Sequence, residues 1–311
     1  MRTLLLSALL ILSAAAQLKT TDKDGRIEVR DGDKVVFSYQ HEPLQNPKGG
    51  EIFAASAFVH TLTTPSGFQL NDMQPDDHLH HLGVWWPWKL VEVDGGRHIT
   101  WEMQRKQGRH RAVNAKIVSA EDDKVLITAN NVTEISKDGE TYTPVINGAA
   151  SLLFARHGKD GYQLDIHLHH TPAENKEVNI LKYRYSGFCW RGTPEWTAET
   201  STMLTSEGHH RDNANHQPAK WCMVHGKTPT GKATMLILSA AEKPEMLRVW
   251  GAKQHHGNPF VNFNPVVKES FKLTEENKAV SHRSYRLIMV DRTFMAEEAD
   301  KLWADWSKSE K

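Results

Sequence analysis

The segment PDDHLHHLGVWWPW, residues 75 to 88, concentrates side chains that can do chemistry. Its carboxylate and imidazoles, Asp77, His78, His80 and His81, could bind a divalent metal ion or exchange protons, because free imidazole titrates near ~6.5. The chain has no HExxH and no zinc-finger spacing, so no recognised metal motif decides the matter. A third interpretation is a polar loop whose histidines bond backbone carbonyls. The segment predicts a reactive loop and leaves its cofactor open between a divalent metal ion and none.

The protonation of these histidines separates the first two interpretations. In an acid/base site without metal, Asp77 should hydrogen-bond one imidazole, favour its cation and raise its pKa. In a metal site, ligation needs neutral imidazole, so the same histidines should resist protonation until acid expels the metal. For the acid/base case, His78 and His81 are the candidate proton-transfer groups.

Three tryptophans, Trp85, Trp86 and Trp88, follow the histidines directly. Large rings beside polar donors suit a ligand such as a sugar, whose C–H faces stack on indole while its hydroxyls form hydrogen bonds. Alternation along a strand sends Trp85 and Trp86 to opposite faces, so at least one should be core. The pattern predicts a small-molecule or oligosaccharide ligand.

A later segment, LKYRYSGFCWRGTPEW at residues 181 to 196, offers an arginine, a tyrosine and a carboxylate for the same site. The Arg191 guanidinium could hold an oxyanion, Tyr185 could serve as acid or base, and Glu195 could bind substrate. Glycines beside Arg191 and at Gly83 allow sharp turns toward a ligand. We therefore expect Asp77, His78 and His81 to meet Arg191 in one cleft.

Other histidine groups lie further along the chain. In DIHLHH, residues 165 to 170, alternation puts Asp165, His167 and His169 on one strand face, where metal ligation and a solvated sheet face are both open. The pairs at 209–210 and 255–256 lie in Gly- and Asn-rich loops. Of these, His255 and His256 are predicted to join the substrate site.

The elements that must position these residues read as strands. Asp-Gly pairs, typical of type I′ hairpin turns, recur between β-branched runs, and IEVRDGDKVVFSY at residues 27 to 39 is the clearest hairpin. Strands are also predicted at 125–135, 149–156, 162–169, 233–239 and 281–290. Strands without intervening helical periodicity indicate an all-β fold, a large antiparallel β-sandwich.

One helix is predicted, at about residues 293–308, because Phe294, Leu302, Trp303 and Trp306 recur at helical spacing. No repeat or linker divides the chain, so residues 17–311 are expected to form a single β-sandwich domain that ends in this helix.

Residues 1–16, MRTLLLSALLILSAAA, have the basic start, apolar run and small residues of a secretory signal peptide. They predict a periplasmic or secreted protein without a membrane span. The 38 basic and 38 acidic residues balance, so no nucleic-acid partner is expected. In an oxidising compartment the only cysteines, Cys189 and Cys222, could pair or remain two buried thiols.

Several short motifs together resemble the exported bacterial proteins filed as PmoA-like, or methane oxygenase PmoA. They are TPSG at 64–67, DHLHHLGVWW at 77–86, YSGFCWRG at 185–192, DN at 212–213, KW at 220–221 and NPF at 258–260. The resemblance covers about residues 50 to 291, and DHxHHxG is its most specific part. Family members have a histidine after a tryptophan that here is Trp250, followed by Gly251, so His255 or His256 would have to replace it.

The resemblance implies a β-sandwich similar to galactose mutarotase, a fold frequent among sugar-processing proteins. It does not imply methane oxidation, because the membrane-embedded oxygenase subunit of that name has several spans. We therefore expect a carbohydrate-active enzyme of lyase, epimerase or hydrolase type, with proton transfer on a sugar or oxidised sugar. The alternative from another class is a non-catalytic carbohydrate-binding protein of the cell envelope, which would rely on the tryptophans.

Overall fold

The computed structural model describes residues 17–310, so the predicted signal peptide lies outside the described residues. Strands dominate the chain. The first twelve strands are β1 Leu18–Lys23, β2 Arg26–Asp31, β3 Lys34–Gln40, β4 Leu44–Asn46, β5 Gly50–Ala55, β6 Phe58–Leu62, β7 Val84–Trp85, β8 Leu90–Val93, β9 Gly96–Ile99, β10 Gly108–Ala120, β11 Lys124–Ile135 and β12 Thr143–His157. The later strands are β13 Gly161–Pro172, β14 Val178–Ile180, β15 Phe188–Arg191, β16 Ser201–Thr205, β17 Pro218–Ala219, β18 Trp221–Thr228, β19 Gly231–Ser239, β20 Glu245–Val249, β21 Phe260–Asn264, β22 Phe271–Lys272 and β23 His282–Val290. The helices are α1 Lys278–Ser281 and α2 Ala296–Ser309, with 3₁₀ turns at Met103–Arg105 and His255–Gly257.

Two large antiparallel sheets form the sandwich. One has the order β1-β2-β3-β6-β7-β15-β21-β20-β17, and the other β10-β11-β12-β13-β23-β19-β18-β16. A smaller sheet, β22-β14-β8-β9, and the β4-β5 pair complete the fold. Apolar side chains of both large sheets share one core, in which Phe37 of the first stacks on Phe154 of the second at 5.3 Å between ring centroids. The predicted all-β antiparallel sandwich is confirmed.

The Asp-Gly turns explain why neighbouring strands pair in sequence order. At Asp24-Gly25 and Asp94-Gly95 both residues have positive φ, as a type I′ turn requires. The predicted hairpin at residues 27–39 is β2 paired with β3. At Asp160-Gly161 the sequence signal is displaced, because Gly158 takes the positive φ and Gly161 already belongs to β13.

The predicted C-terminal helix is present and begins at Ala296, three residues later than expected. Its first turn is capped by Glu298, whose carboxylate accepts a hydrogen bond from the Met295 N–H at 3.1 Å, so the preceding residues stay extended. Trp306 packs against the eight-stranded sheet beside Ile288. None of the helices within residues 17–310 is long and apolar enough to cross a membrane.

The two cysteines are unpaired. Cys189 lies on β15 in one large sheet and Cys222 on β18 in the other, and both are buried free thiols. The sequence left a disulfide and two separate thiols open, and the structure shows two separate thiols.

Candidate active site

The DHLHH segment is a loop of two successive tight turns. The His78 N–H donates to the Pro75 carbonyl at 2.9 Å, and the His81 N–H donates to the His78 carbonyl at 2.9 Å. The Gln74 N–H donates to the His81 carbonyl at 2.7 Å and closes the loop. Turns of this kind break strand alternation, so neighbouring imidazoles can lie on the same side.

Backbone hydrogen bonds join this loop to the strand that ends in Arg191. The Arg191 N–H donates to the Gly83 carbonyl at 2.8 Å, and the Asp72 N–H donates to the Arg191 carbonyl at 2.9 Å. Gly83 has a φ of +72°, and an added Cβ would lie 2.5 Å from the Val59 carbonyl oxygen. Only glycine fits there without a shift, so this position fixes how segments far apart in sequence meet.

Asp77 is the centre of the polar contacts. Arg191 Nη2 lies 3.2 Å from each carboxylate oxygen, His78 Nδ1 lies 3.2 Å from Oδ2, and His255 Nδ1 lies 3.1 Å from Oδ2. The ligand atoms of Asp77, His78 and His255 all lie within 4.8 Å of one another. We call these three residues the Asp77 trio. Two imidazoles and a carboxylate are ligands that divalent transition metals accept.

His78 has a nitrogen without a hydrogen bond. Its buried Nδ1 has no hydrogen-bond partner within residues 17–310, because its approach to Asp77 lies outside hydrogen-bond geometry. An imidazole nitrogen held 3.2 Å from a carboxylate oxygen in this way is placed to bind the same ion as that oxygen.

Arg191 is held flat against an aromatic ring. Its side chain is 1% exposed, and its guanidinium carbon lies 4.4 Å from the Trp250 ring centroid. Within the described chain, Nε and Nη1 have no hydrogen-bond partner. A buried guanidinium with two unused donors is suited to an anionic or hydroxyl oxygen.

His255 enters from a separate 3₁₀ turn. Its φ is +48°, a left-handed conformation that is uncommon outside glycine, and its ring lies 3.9 Å from the Trp250 ring. His256 follows it in the same turn. His255 and His256 were the candidates to replace the histidine that follows this tryptophan in the resembling family. It is the His255 ring that packs on Trp250.

His80 and His81 lie beside the trio without belonging to it. The His78 ring is 4.6 Å from the His81 ring and 5.5 Å from the His80 ring. His81 is 3% exposed and stacks on Phe260 at 5.0 Å. Among the four residues that the sequence nominated as metal ligands, the geometry thus groups Asp77 and His78 with His255.

The surroundings of the trio lower the pKa of all three side chains. Burial would raise the pKa of Asp77, but Arg191 and then His78 outweigh it and hold that pKa below its usual value. Burial lowers the pKa of His78, and the opposing charge of Asp77 does not restore it. The pKa of His255 is also lowered, mainly by burial. Both imidazoles are therefore neutral near pH 7, as ligation requires.

The neighbouring histidines are neutral for the same reason. Burial, with a smaller effect of Lys89, lowers the pKa of His80 to about 4. Burial also lowers the pKa of His81 far below its usual range. Neutral imidazoles can accept a proton, so His80, which is half-buried, is available as a base.

The three tryptophans of the motif are core residues. Trp85, Trp86 and Trp88 are 2%, 1% and 1% exposed. Trp85 lies behind His81 at 5.1 Å, Trp86 stacks on Tyr39 inside the sandwich, and Trp88 packs under the small sheet. This corrects the expectation that they bind substrate: only Trp85 lies in a strand, β7, and all three rings pack into the interior, so none presents a face to a ligand.

Tyr185 lies in a neighbouring aromatic cluster that the sequence did not predict. Its ring is 5.1 Å from the Trp101 ring and 5.1 Å from the Lys89 ammonium. Lys89 is fully buried and pairs with Glu102 at 2.5 Å, and burial lowers its pKa to about 8. The sequence signal for this cluster was a lysine, Lys89, inside the otherwise apolar run from Trp85 to Val91.

Glu195 lines a groove of about 610 Å³ that also includes Asp72, Phe68 and Pro194. The same two segments support the groove and the histidine loop. Asn71 and Gly192 form an isolated bridge, and next to it the Asp72 N–H donates to the Arg191 carbonyl. Burial raises the pKa of Asp72, and nearby Arg191 opposes this.

The remaining predicted histidines lie elsewhere. His210 Nδ1 contacts the Met203 carbonyl at 3.2 Å beside β16. On β13, Ile166 and Leu168 are buried while His167 and His169 face outward, as alternation predicted.

The comparisons with known proteins give one family. A family described as "Family of unknown function (DUF6807)" matches residues 26–304. Among solved structures, a GalM/aldose epimerase homologue from C. elegans is similar at 7% identity, with 89% of this chain and 98% of that chain covered and a TM-score of 0.38. A 4-α-glucanotransferase from Thermococcus litoralis is similar at 8% identity, with 90% and 40% covered and a TM-score of 0.36. No curated protein matches the chain.

Proposed function

The chain belongs to the DUF6807 family, whose function is unknown, and we propose that it is an exported carbohydrate-active enzyme that combines proton transfer with a divalent metal ion. The observation that carries the proposal is the Asp77 trio, in which one carboxylate oxygen and two imidazole nitrogens converge and the buried His78 Nδ1 has no hydrogen bond to any described residue. Three protein ligands with a further position open is the arrangement of catalytic rather than structural metal sites.

The neutral state of the imidazoles favours the metal interpretation over metal-free acid/base catalysis. A metal-free pair should have an imidazole whose pKa is raised by Asp77. Instead, burial lowers the pKa of His78 and His255 despite that carboxylate. Arg191 contacts both oxygens of this carboxylate and fixes its orientation, as residues behind metal ligands commonly do.

The residues around the trio have distinct proposed roles. A bound metal ion supplies Lewis-acid polarisation of a substrate oxygen. Arg191 is itself buried, so it acts by holding the Asp77 carboxylate and through its fixed positive charge, which stabilises negative charge that develops on the substrate. His80 is half-buried and neutral and is the proposed proton acceptor; its pKa of about 4 makes it a weak base, so it depends on a metal ion that would make the substrate proton more acidic. His81 is packed too deeply for that role and orients His78 instead.

The proposed substrate class rests on the groove, which reaches the site through Asp72, the residue that bonds the Arg191 carbonyl, and is not lined by the trio itself. Its volume of about 610 Å³ fits the range of ligand pockets, and its lining is polar with Phe68 and two prolines as apolar surfaces. Within residues 17–310, its lining includes the carboxyl groups of Asp72 and Glu195 and no lysine or arginine. This favours a neutral sugar, or one oxidised to a ketone, over a sugar acid. The alternative, a non-catalytic carbohydrate-binding protein, would need exposed tryptophans, and the three tryptophans of the motif are buried. This alternative therefore has less support.

Metal analysis tests the proposal first. Protein purified without a histidine tag is dialysed against Zn²⁺, Mn²⁺ or Ni²⁺, and bound metal is counted in wild type and in His255→Ala. The matched control is His41→Ala, since His41 also contacts a carboxylate, Asp22 at 2.8 Å, but belongs to no cluster of three metal-ligating side chains among the described residues. We expect His255→Ala to weaken binding at the Asp77 trio at least roughly tenfold and His41→Ala to leave it unchanged.

Activity is then screened on unmodified glycosides and their 3-keto derivatives, with and without chelator. Turnover that disappears with chelator and with His255→Ala supports the proposal. Equal metal content in wild type and His255→Ala, together with turnover that chelator does not affect, would contradict the metal role. Sugar binding without turnover on every substrate would support the binding alternative.

A further inference from the structure

A second cluster of metal-ligating side chains lies on the outer face of the eight-stranded sheet. His169 of β13 is directly opposite His282 of β23 in the antiparallel register, and their rings are 4.3 Å apart. Glu275 reaches them from the segment before α1, with Oε1 at 2.8 Å from His169 Nε2 and Oε2 at 3.8 Å from His282 Nε2. The three ligand atoms lie within 4.8 Å of one another.

The hydrogen bonds around His282 favour the tautomer that a metal needs. The Ser281 hydroxyl donates to the Asn277 carbonyl at 3.1 Å, so its oxygen is free to accept from His282 Nδ1 at 3.0 Å. A protonated Nδ1 leaves a lone pair on Nε2, the nitrogen that faces Glu275. The ring is thus oriented by a second contact, as in known histidine metal sites.

Lys278 opposes this arrangement. Its ammonium lies 3.3 Å from the same Nδ1 and can only donate a hydrogen bond, so it favours the tautomer with the proton on Nε2. It also adds positive charge next to the three ligands. The site therefore contains both an orienting group and an opposing group, and the two can be tested separately.

We propose that His169, Glu275 and His282 form a second site for a divalent transition metal ion, with Zn²⁺ as the ion that best suits two imidazoles and one carboxylate. The site shares no residue with the Asp77 trio and does not depend on the proposed activity. All three side chains are about half exposed, so the ion can enter from solvent. A bound ion would tie the segment from Glu275 to Ser281 to the centre of the eight-stranded sheet.

Zinc titration by calorimetry tests the proposal in the full chain carrying His255→Ala, which weakens the first site. In this background we expect one remaining Zn²⁺ site. His169→Ala should weaken that site by roughly 100-fold, since a direct ligand matters at least as much as the groups behind it. Glu275→Gln keeps the shape, removes the charge and should have a smaller effect of the same sign. His41→Ala is the control and should leave the affinity unchanged.

Lys278→Ala gives a test that loss of folding cannot imitate, because we expect it to tighten Zn²⁺ binding several-fold. Circular dichroism verifies that each variant is folded. The proposal is overturned if the His255→Ala protein binds no Zn²⁺ at this second position, or if His169→Ala and His282→Ala bind as tightly as their parent. If only the first site is wrong, His255→Ala has no effect on metal binding while His169→Ala still weakens it. The two proposals can therefore fail separately.

Discussion

The tetrapeptide HLHH occurs twice in this chain, at residues 78–81 and 167–170, and the structure gives its side chains opposite arrangements. On β13 the backbone is extended, so His167 and His169 face outward while Leu168 and His170, each 3% exposed, face inward. In the loop, two turns bring all three imidazoles within 4.6 to 5.5 Å of one another. The backbone, more than the residue types, decides whether this sequence builds a cluster.

The two copies also differ in the direction in which their surroundings shift the histidine pKa values. Burial lowers the pKa of His80 to about 4, whereas a hydrogen bond with Glu310 raises the pKa of His167. In the loop the charged form loses hydration and gains little, and on the strand the charged form gains a carboxylate while it remains near water. Each imidazole of the pattern is therefore tuned by its surroundings, and matched substitutions in the two copies should have different effects.

The largest difference is expected for the first histidine of each copy. His78→Ala removes a ligand of the Asp77 trio and should lower sugar turnover by about a thousandfold, whereas His167→Ala should leave it within about twofold. Steady-state kinetics with saturating metal measure both variants. Similar losses in the two variants would contradict the assignment of the loop as the site.

Sequence patterns predicted the sandwich because they report local geometry. Alternation predicted which residues of β13 face the core, and Asp-Gly pairs marked hairpin turns at Asp24-Gly25 and Asp94-Gly95. The helix start was displaced to Ala296 because the Glu298 cap, a single side-chain contact, ends the extended segment. Boundaries depend on such contacts, which periodicity does not report.

The site was predictable only in part. The residues of DHLHH and Arg191 were evident as reactive types, and glycines beside them allowed the segments to meet. His255, which the sequence assigned to the substrate site and not to the metal ligands, completes the trio from a 3₁₀ turn whose position depends on packing against Trp250. The tryptophans were misassigned because residue type does not report burial: Trp85 lies in β7, Trp86 and Trp88 lie in the connection that follows, and each ring packs into the core.

The leucines of the two copies should differ in stability. Leu168 is 3% exposed in the main core, so Leu168→Ala should lower the free energy of unfolding by about 3 kcal/mol. Leu79 is half-buried beside Gly49, so Leu79→Ala should cost less than about 1 kcal/mol. Urea denaturation followed by tryptophan fluorescence measures both. A larger cost at Leu79 would mean that the loop is a folding element rather than a supported site.

Acid should destabilise the protein through its buried neutral histidines. The pKa of His80 is about 4 and that of His170 about 3, both lowered mainly by burial from 6.5. Between pH 6.5 and about 4 the unfolded chain therefore binds more protons, so stability is complete above pH 6.5 and falls as pH decreases. A fully buried histidine contributes at most about 1.4 kcal/mol per pH unit in this window. His80→Gln should flatten the dependence, and an unchanged slope in urea titrations from pH 4 to 7.5 would contradict it.

The smallest effect is expected at His167, and its sign is reversed. Its pKa is raised by the Glu310 carboxylate, which lies 3.1 Å from Nδ1, so the pair stabilises the fold below the unfolded pKa of 6.5 and loses that contribution as pH rises through the folded pKa. Because the His167 side chain is 41% exposed, His167→Ala should cost less than about 1 kcal/mol at pH 5.5 and less still at pH 8. Glu310→Gln should reproduce this profile, and NMR titration should give His167 a pKa above 6.5 that falls in Glu310→Gln. If His167 instead titrated below 6.5, burial would govern both copies of HLHH and the electrostatic contrast between them would be lost.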